Sequence, residues 1–262
     1  MRTVRLGAVE YLNARPLVYG LELRSDLFSL RYDVPSKCAA LLHEGSIDLG
    51  MIPSIEYLRG PAYHIVAGIA IASDGPVASV ALFTGAPLDR IRSIAADVSS
   101  RTSNALLRVL CVERFGIDPV FQPMPPNPAA MLRRCDAALL IGDPALFFDH
   151  EAAGVEKVDL GEQWTSLTGL PFVWAFWAGR PGLLSRDGVN ALVAARDAGV
   201  AASDEVAAAY CGPERAERCQ AYLRDNIQYA FGERERAGLR KYFELAEQHG
   251  VVDAVTPLAF YR

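Results

Sequence analysis

The sequence has no hydrophobic run long enough to cross a membrane, and it carries little net charge. Its best apolar runs, residues 66–72 and 171–178, are far shorter than the ~18 consecutive apolar residues that a membrane helix needs. A hydrophobic content of 51% and a net charge of −5 over 262 residues exclude a disordered chain. The slightly acidic balance offers no basic surface for nucleic acid or anionic lipid. We therefore expect a globular protein that binds neither nucleic acid nor membranes.

Cysteine and histidine are few and scattered. The five cysteines form no Cys-x-x-Cys pair and the four histidines have no ligand spacing, so we expect no metal site. The basic amino terminus lacks the apolar core and the small-residue cleavage site of a signal peptide. These features predict a cytoplasmic protein whose thiols are reduced and mostly buried. Because the nucleophile-elbow, zinc-protease and P-loop motifs are also absent, any catalysis is expected to depend on positioning and electrostatics.

Short β-like runs alternate with helical segments through the first two-thirds of the chain. Strands are predicted at residues 4–9, 29–34, 48–52, 64–72, 77–84, 93–96, 119–122, 137–141, 155–159 and 172–178. Helices are predicted at residues 16–23, 36–43, 54–58, 101–115, 128–134, 144–150 and 162–167. This alternation predicts an α/β protein with mainly parallel sheets. From Leu183 onward the pattern is helical almost throughout, with breaks at Gly199, Gly212 and Gly232.

Two of these strands, residues 77–84 and 172–178, are apolar and bounded by Gly or Pro. About ninety residues lie between them, the size of a small domain. They are either crossovers that join two lobes or a buried pair within one continuous sheet. The two-lobed interpretation places residues 1–84 and 178–262 in a discontinuous outer lobe and residues 85–177 in an inserted α/β lobe. A ligand cleft is then expected between the lobes.

Polar residues are concentrated in loops that follow predicted strands, where open α/β sheets bind their ligands. The first loop carries Asn13 and Arg15 beside Pro16, which can begin a helix. Arg15 offers a planar fork that matches a carboxylate, although Asn13 could instead cap the helix and Arg15 be solvated. In the second loop, capping of a helix is the ordinary explanation of Ser54.

The strongest signal is the third loop, where an arginine and several hydroxyl groups surround a predicted helix start. These residues are Ser99, Ser100, Arg101, Thr102, Ser103 and Asn104. A helix amino terminus already favours an anion, and capping needs only one or two of these groups. The loop therefore predicts a cradle for a carboxylate or a phosphate. In the fourth loop, Asp143 could cap a helix, orient an arginine or contact a ligand, and Ser79 lies at the first predicted crossover.

Five motifs occur along the chain in an order that resembles one enzyme family, the chorismate dehydratases of the futalosine route to menaquinone. They are Tyr-Leu-Asn-Ala-Arg-Pro-Leu (11–17), Ile-Pro-Ser-Ile-Glu-Tyr (52–57), Asp-Gly-Pro (74–76) with Ser79, Asp-Val-Ser-Ser-Arg-Thr-Ser (97–103) and Ile-Gly-Asp-Pro-Ala-Leu (141–146). The resemblance covers essentially the whole chain. It implies a fold like that of type II periplasmic binding proteins, with two α/β lobes, two crossover strands and a helical C-terminal region. It also implies a hydro-lyase that converts chorismate to 3-[(1-carboxyvinyl)oxy]benzoate and water, for which we expect no cofactor.

The resemblance assigns roles to the polar loops. Catalytic roles are expected for Asn13, Ser79 and Asp143. Substrate-binding roles are expected for Arg15, Ser54, Ser99, Ser100, Arg101, Thr102 and Ser103. Asp143 and Glu56 are candidate bases, but the two substrate carboxylates would repel either one. The enolpyruvyl carboxylate of the substrate is therefore the expected proton acceptor, in a substrate folded by the enzyme into its reactive shape.

Two other functions remain open from the sequence. The sister enzyme of the pathway, which makes the dihydroxynaphthoate, shares the fold, but its first loop has a Ser-Pro-Cys-Pro-Asn type of sequence. A non-catalytic solute-binding protein for a small carboxylate would have the same architecture. The helical region from Leu183 to His249 could also carry a homodimer contact, although packing on the outer lobe is the simpler account.

Overall fold

The computed structural model describes residues 3–261 and contains two mixed sheets flanked by helices. The strands are β1 (Val4–Val9), β2 (Phe28–Asp33), β3 (Leu49–Pro53), β4 (His64–Ile65), β5 (Gly68–Ser73), β6 (Val80–Thr84), β7 (Ser93–Asp97), β8 (Val120–Met124), β9 (Ala137–Ile141), β10 (Glu156–Asp159), β11 (Phe172–Gly179) and β12 (Gln228–Phe231). The α-helices are α1 (Pro35–Glu44), α2 (Glu56–Arg59), α3 (Thr102–Leu110), α4 (Pro128–Arg134), α5 (Gly142–Phe147), α6 (Leu160–Thr168), α7 (Arg186–Ala201), α8 (Ser203–Cys211), α9 (Ala216–Asp225) and α10 (Glu233–Gln248). Three 3₁₀ helices (Leu12–Val18, Leu21–Leu23, Leu88–Arg90) and a π-helical turn (Cys111–Phe115) complete the elements. None of the helices in the described range is long and apolar enough to cross a membrane.

The two sheets define two lobes. A seven-stranded sheet in the order β12-β5-β11-β3-β1-β2, with β4 paired to β11, forms the outer lobe. A five-stranded sheet in the order β10-β6-β9-β7-β8 forms the inserted lobe. The chain passes between the lobes twice, between Ser73 and Val80 and again between Asp159 and Phe172. We call these passages the first and the second crossover.

The sheets correct the strand assignments that the sequence suggested. β6 pairs only within the five-stranded sheet and β11 only within the seven-stranded sheet. The expected boundaries at residues 84 and 178 placed β6 in the outer lobe and β11 mostly in the inserted lobe, which is wrong. Both strands are apolar throughout, so the sequence does not show which sheet each one joins. The expectation of mainly parallel sheets is also wrong. Four strand pairings are parallel and six are antiparallel among the described residues, because the strands that flank the crossovers return in the opposite direction.

The core lies on both faces of the sheets. Every residue of β6, β9 and β11 is buried, as expected for strands covered by helices on two sides. Trp164 and Trp177 are fully buried in this core, and Trp174 is 7% exposed beside the cleft. The strands therefore form a rigid frame, and the loops at their ends carry the site.

The predicted helix at residues 16–23 is not an α-helix. In its place are two short 3₁₀ helices, Leu12–Val18 and Leu21–Leu23, separated by Gly20 with φ 70°. Pro16 lies inside the first of them, where it cannot donate a backbone hydrogen bond. The left-handed Gly20 then ends the turn. The loop after β1 is thereby held close to the sheet.

The region after Leu183 departs from the prediction at two points. Gln228–Phe231 forms β12, an edge strand on β5, where helix was expected. The predicted break at Gly199 is wrong, since Gly199 lies inside α7. A glycine is needed there because the helix packs so closely on the Pro16 carbonyl that a side chain would overlap it. Gly212 and Gly232 end α8 and precede α10, as predicted. A homodimer contact by this region stays a prediction.

Three of the five cysteines are free and buried, as expected, namely Cys38, Cys111 and Cys135. Burial raises the pKa of Cys38 and Cys111 to about 12, which makes these thiols poor nucleophiles. The expectation of reduced thiols is wrong for Cys211 and Cys219, which form a disulfide with Cα atoms 6.7 Å apart. The two residues are eight positions apart in sequence, and the packing of α8 against α9 brings them together.

Candidate functional site

A small cavity lies between the lobes. Its volume is about 60 Å³, and it is lined by Val9, Tyr11, Asn13, Pro35, Pro53, Ile71, Val77, Val80, Ser100, Thr102, Ser103, Ile141, Gly142, Trp174 and Ala175. The outer lobe supplies the first loop and the apolar floor, and the inserted lobe supplies the start of α3. A larger groove of about 290 Å³ beside Asp26 and Gly182 contains none of the predicted site residues. Small-molecule sites usually enclose ~300 Å³ or more, so this cavity is smaller than an ordinary ligand site.

The start of α3 contacts the outer lobe directly. The Thr102 hydroxyl accepts a hydrogen bond from the Ile55 backbone N–H at 3.2 Å and lies 3.3 Å from the Ser54 hydroxyl. The Ser100 hydroxyl accepts from the Ser103 backbone N–H at 3.2 Å, as a helix cap does. Because that bond uses only a lone pair of Ser100, its own proton remains available for a ligand.

Ser99 belongs to a buried chain of polar groups. Its hydroxyl and its backbone N–H both donate to Asp97 Oδ1, at 2.6 Å and 2.8 Å. The Tyr11 side chain lines the cavity. Asp97 is fully buried, and its Oδ2 has no hydrogen-bond partner among the residues that the structure describes. Burial raises the pKa of Asp97, because the charged form loses its hydration.

Asn13 and Ser79 are each held by a tyrosine of the C-terminal region. The Tyr222 hydroxyl of α9 donates to Ser79 Oγ at 2.6 Å. The backbone carbonyl of Asn13 accepts from the Tyr229 hydroxyl of β12 at 2.9 Å. All these groups are at least partly buried. Two residues that are 66 positions apart in sequence are therefore both fixed by the C-terminal region.

Asp143 and Arg15 are held outside the cavity lining. Asp143 accepts from the Leu12 backbone N–H at 3.3 Å and from the Tyr210 hydroxyl. The Arg15 guanidinium lies over two tyrosine rings, 4.7 Å from the centre of Tyr32 and 5.1 Å from that of Tyr210. These contacts fix the first loop against α8, so Asp143 orients a loop in this structure.

Arg101 crosses the cleft to form an ion pair with Glu56. Its Nη1 donates to Glu56 Oε2 at 2.6 Å. Glu56 is fully buried and also accepts from His43 Nε2 at 2.9 Å and from Arg59 Nη1 at 3.1 Å. Burial raises the pKa of Glu56, but these three partners outweigh it and leave the pKa below its ordinary value. A carboxylate bound in this way is a weak base, and its ion pair with Arg101 links the two lobes.

The first crossover is strained and firmly anchored. Ala78, directly before Ser79, has φ 61°, a left-handed conformation that is uncommon outside glycine. The Asp159 carboxylate accepts from the backbone N–H groups of Val77 and Ala78, at 3.0 Å and 2.7 Å, and also caps the start of α6. Lys157 Nζ donates to the Ala78 carbonyl at 2.6 Å. Asp159 thus ties the first crossover to the second and fixes the position of Ser79.

The structure brings only some of the predicted site residues to the cavity. Asn13, Ser100, Thr102 and Ser103 line it. The others do not line it and are held by protein partners: Arg15, Ser54, Ser79, Ser99, Arg101 and Asp143. Between residues 3 and 261, no group of three or more His, Cys, Asp or Glu side chains could hold a metal ion. The arrangement can donate several hydrogen bonds to an anion but presents no charged side chain in its lining.

Sequence reasoning missed the tyrosines that organise the site. Tyr210, Tyr222 and Tyr229 come from α8, α9 and β12, far along the chain from the loops that they contact. Tyr11 was noted only as part of a motif, yet its ring packs directly on Gly142. A Cβ atom at position 142 would lie 2.6 Å from the Tyr11 ring. No local pattern identifies such residues, because their partners are set by tertiary packing.

Two lobes joined by two crossovers around a cleft define the periplasmic-binding-protein fold. Protein AF1704 from Archaeoglobus fulgidus matches with a TM-score of 0.77 at 19% identity, over 95% of this chain and 98% of its own. The alkanesulfonate-binding protein SsuA from Xanthomonas axonopodis pv. citri matches with a TM-score of 0.68 at 18% identity, over 95% and 94%. A Candida albicans protein with the generic periplasmic binding protein fold matches with a TM-score of 0.63 at 13% identity, over 98% and 92%. These likenesses confirm the predicted fold class and show the fold alone.

Sequence similarity identifies the family. The profile of the menaquinone biosynthesis family matches residues 4–248. The chorismate dehydratase of Thermus thermophilus is 31% identical, over 93% of this chain and 95% of its own length. The chain belongs to the menaquinone biosynthesis family, and the predicted resemblance is confirmed.

Proposed function

We propose that this protein is a chorismate dehydratase, a carbon–oxygen lyase that removes water from chorismate to give 3-[(1-carboxyvinyl)oxy]benzoate. The observation that carries the proposal is the meeting of Asn13 with the hydroxyls of Ser100, Thr102 and Ser103 in one interlobe cavity. This occurs in a chain that is similar over 93% of its length to a chorismate dehydratase. The cavity groups are the ones that the reaction needs.

The chemistry requires stabilisation of negative charge. Loss of the C3 proton and the C4 hydroxyl makes the ring of chorismate aromatic, so the overall reaction is strongly downhill. Proton removal at C3 develops charge that spreads towards the ring carboxylate. The amino terminus of α3 carries a partial positive charge, and its hydroxyls can donate to that carboxylate as the charge grows. We infer that α3 holds the ring carboxylate in this way.

The cleft must open to admit the substrate. A cavity of about 60 Å³ is too small for chorismate, and the contact between Ser54 and Thr102 and the ion pair between Glu56 and Arg101 both span the lobes. Opening by hinge motion at the two crossovers breaks these contacts and frees Arg101 for the incoming carboxylate. Closure around the bound substrate then excludes water from it. Arg101→Ala is therefore expected to raise KM and lower kcat together.

The positions of the carboxylates support a proton acceptor on the substrate. Glu56 is saturated by cationic partners and Asp143 is held by Tyr210, and neither lines the cavity. The enolpyruvyl carboxylate of chorismate can reach C3 when the substrate is folded, so the protein's task is to fold it. Glu56→Gln and Asp143→Asn should each retain turnover. If both variants bind chorismate and fail to convert it, a protein base is required instead.

The direct test is incubation of the purified protein with chorismate, followed by chromatography and mass spectrometry of the product. Appearance of the enolpyruvyl benzoate, with loss of one water, is expected. Heat-denatured protein is the control for spontaneous breakdown. Binding of chorismate without conversion would indicate a solute-binding protein. Conversion of the cyclic futalosine-derived precursor instead would indicate the sister enzyme of the pathway.

A further inference from the structure

The buried Tyr222 hydroxyl contacts Ser79, one of the predicted catalytic residues. Tyr222 lies on α9, is 3% exposed and donates to Ser79 Oγ at 2.6 Å. The backbone of Ser79 is fixed separately, since its N–H donates to the Val77 carbonyl at 2.7 Å and its carbonyl accepts from Gly142 N–H at 2.8 Å. Only the orientation of the Ser79 hydroxyl remains to be set, and Tyr222 is the group that contacts it.

The proton count at Ser79 follows from this bond. A phenol has one proton, and Tyr222 gives it to Ser79. Because the Ser79 oxygen accepts from Tyr222, its own proton must go to a further acceptor.

We propose that Tyr222 is a positioning residue of this site, which orients Ser79 as a donor towards the substrate. The inference rests on the proposed function and adds a residue to it. Hydrogen bonds in a chain polarise one another, so the donation by Tyr222 strengthens the donation by Ser79. A polarised Ser79 proton would assist departure of the C4 hydroxyl.

The test is Tyr222→Phe, which removes the hydroxyl and retains the ring. We expect kcat on chorismate to fall about tenfold with KM changed by less than about twofold, because a net hydrogen bond is worth ~0.5–1.5 kcal/mol and 1.36 kcal/mol is tenfold in rate. Tyr261→Phe is the matched control. It loses one bond of 2.6 Å from a buried tyrosine hydroxyl to the Arg180 carbonyl, remote from the cavity. Its kcat should equal that of the wild type at a similar change in melting temperature.

A double-mutant cycle with Ser79→Ala separates positioning from general destabilisation. If Tyr222 acts through Ser79, the double variant should be no slower than Ser79→Ala alone. Fully additive losses, or a Tyr222→Phe enzyme within about twofold of the wild-type kcat, would overturn the inference. Should Tyr222→Phe not fold, fluorotyrosine at position 222 provides a stronger donor of nearly the same size. It should raise kcat, and an unchanged or lower kcat would count against the proposal.

Failure of the proposed function can be told apart from failure of this inference. A wild-type protein that leaves chorismate unchanged refutes the function. Crystal structures of the wild type and of Tyr222→Phe then decide the inference without turnover. Rotation of the Ser79 side chain in the variant supports it. A Ser79 side chain retained in its wild-type orientation would overturn it.

Discussion

Asp159 offers the sharpest test of how the two crossovers are held together. Its buried carboxylate accepts from the amides of Val77 and Ala78 and caps α6. Asp159→Ala removes all of these bonds. Loss of the cap costs about 1 kcal/mol. The fully buried Val77 amide loses its partner at a cost of ~1–3 kcal/mol, and the half-buried Ala78 amide, which can reach water, adds about 1 kcal/mol.

The expected loss in free energy of unfolding is therefore about 3–5 kcal/mol, measured by urea denaturation. Ser185→Ala is the control, because among residues 3–261 the Ser185 side chain makes one hydrogen bond, which caps α7 by accepting from the Gly188 N–H at 3.1 Å. That variant should lose only about 1 kcal/mol. If Asp159→Ala loses no more than Ser185→Ala, the carboxylate is merely a helix cap and the proposed tie between the crossovers is wrong.

Three further predictions concern other parts of the fold. Burial holds the folded pKa of Asp97 above its unfolded value of about 3.9. The free energy of unfolding should therefore fall as pH rises through the interval between these two pKa values. Asp97→Asn should abolish this fall, and thermal unfolding should show that the variant is no less stable than the wild type at neutral pH. Replacing Cys211 and Cys219 together by Ser should cost about 2–3 kcal/mol in urea, because the bond closes a short loop; an unchanged midpoint would contradict this. Gly199→Ala should lower the melting temperature, at a cost of about 1–3 kcal/mol, because the new methyl group overlaps the Pro16 carbonyl; a gain would show that helix propensity dominates.

Elements with strong local signals were predicted closely. Strand β9 and helix α4 match their predicted bounds, since β9 is a continuous apolar run and α4 begins with an Asn127 cap followed by Pro128. Strand β12 was missed because its four residues become a strand only by pairing with β5. The mixed direction of the sheets could not be predicted either, since it depends on how the chain crosses between lobes.

In the candidate site too, features with a local sequence signal were predicted and features set by tertiary packing were not. The hydroxyl-rich loop before α3 was recognised because its composition exceeds what capping requires, and three of its residues line the cavity. The partner of Arg101 was not foreseen, because Glu56 lies 45 positions earlier in another lobe. Whether an arginine faces a ligand or a neighbouring carboxylate depends on how the two lobes pack. Residue type alone carries no such information.

The tyrosines of α8, α9 and β12 have a consequence for how the protein is made. Their hydroxyls anchor Asp143, Ser79 and Asn13, which are translated much earlier. During synthesis, the earlier segments can leave the ribosome and pair their strands before these anchors exist. The loops around the cavity therefore reach their final positions only when the last quarter of the polypeptide docks. A chain that ends before Tyr210 lacks these anchors and buried core residues such as Phe231 and Tyr242, and we expect it to form no pocket.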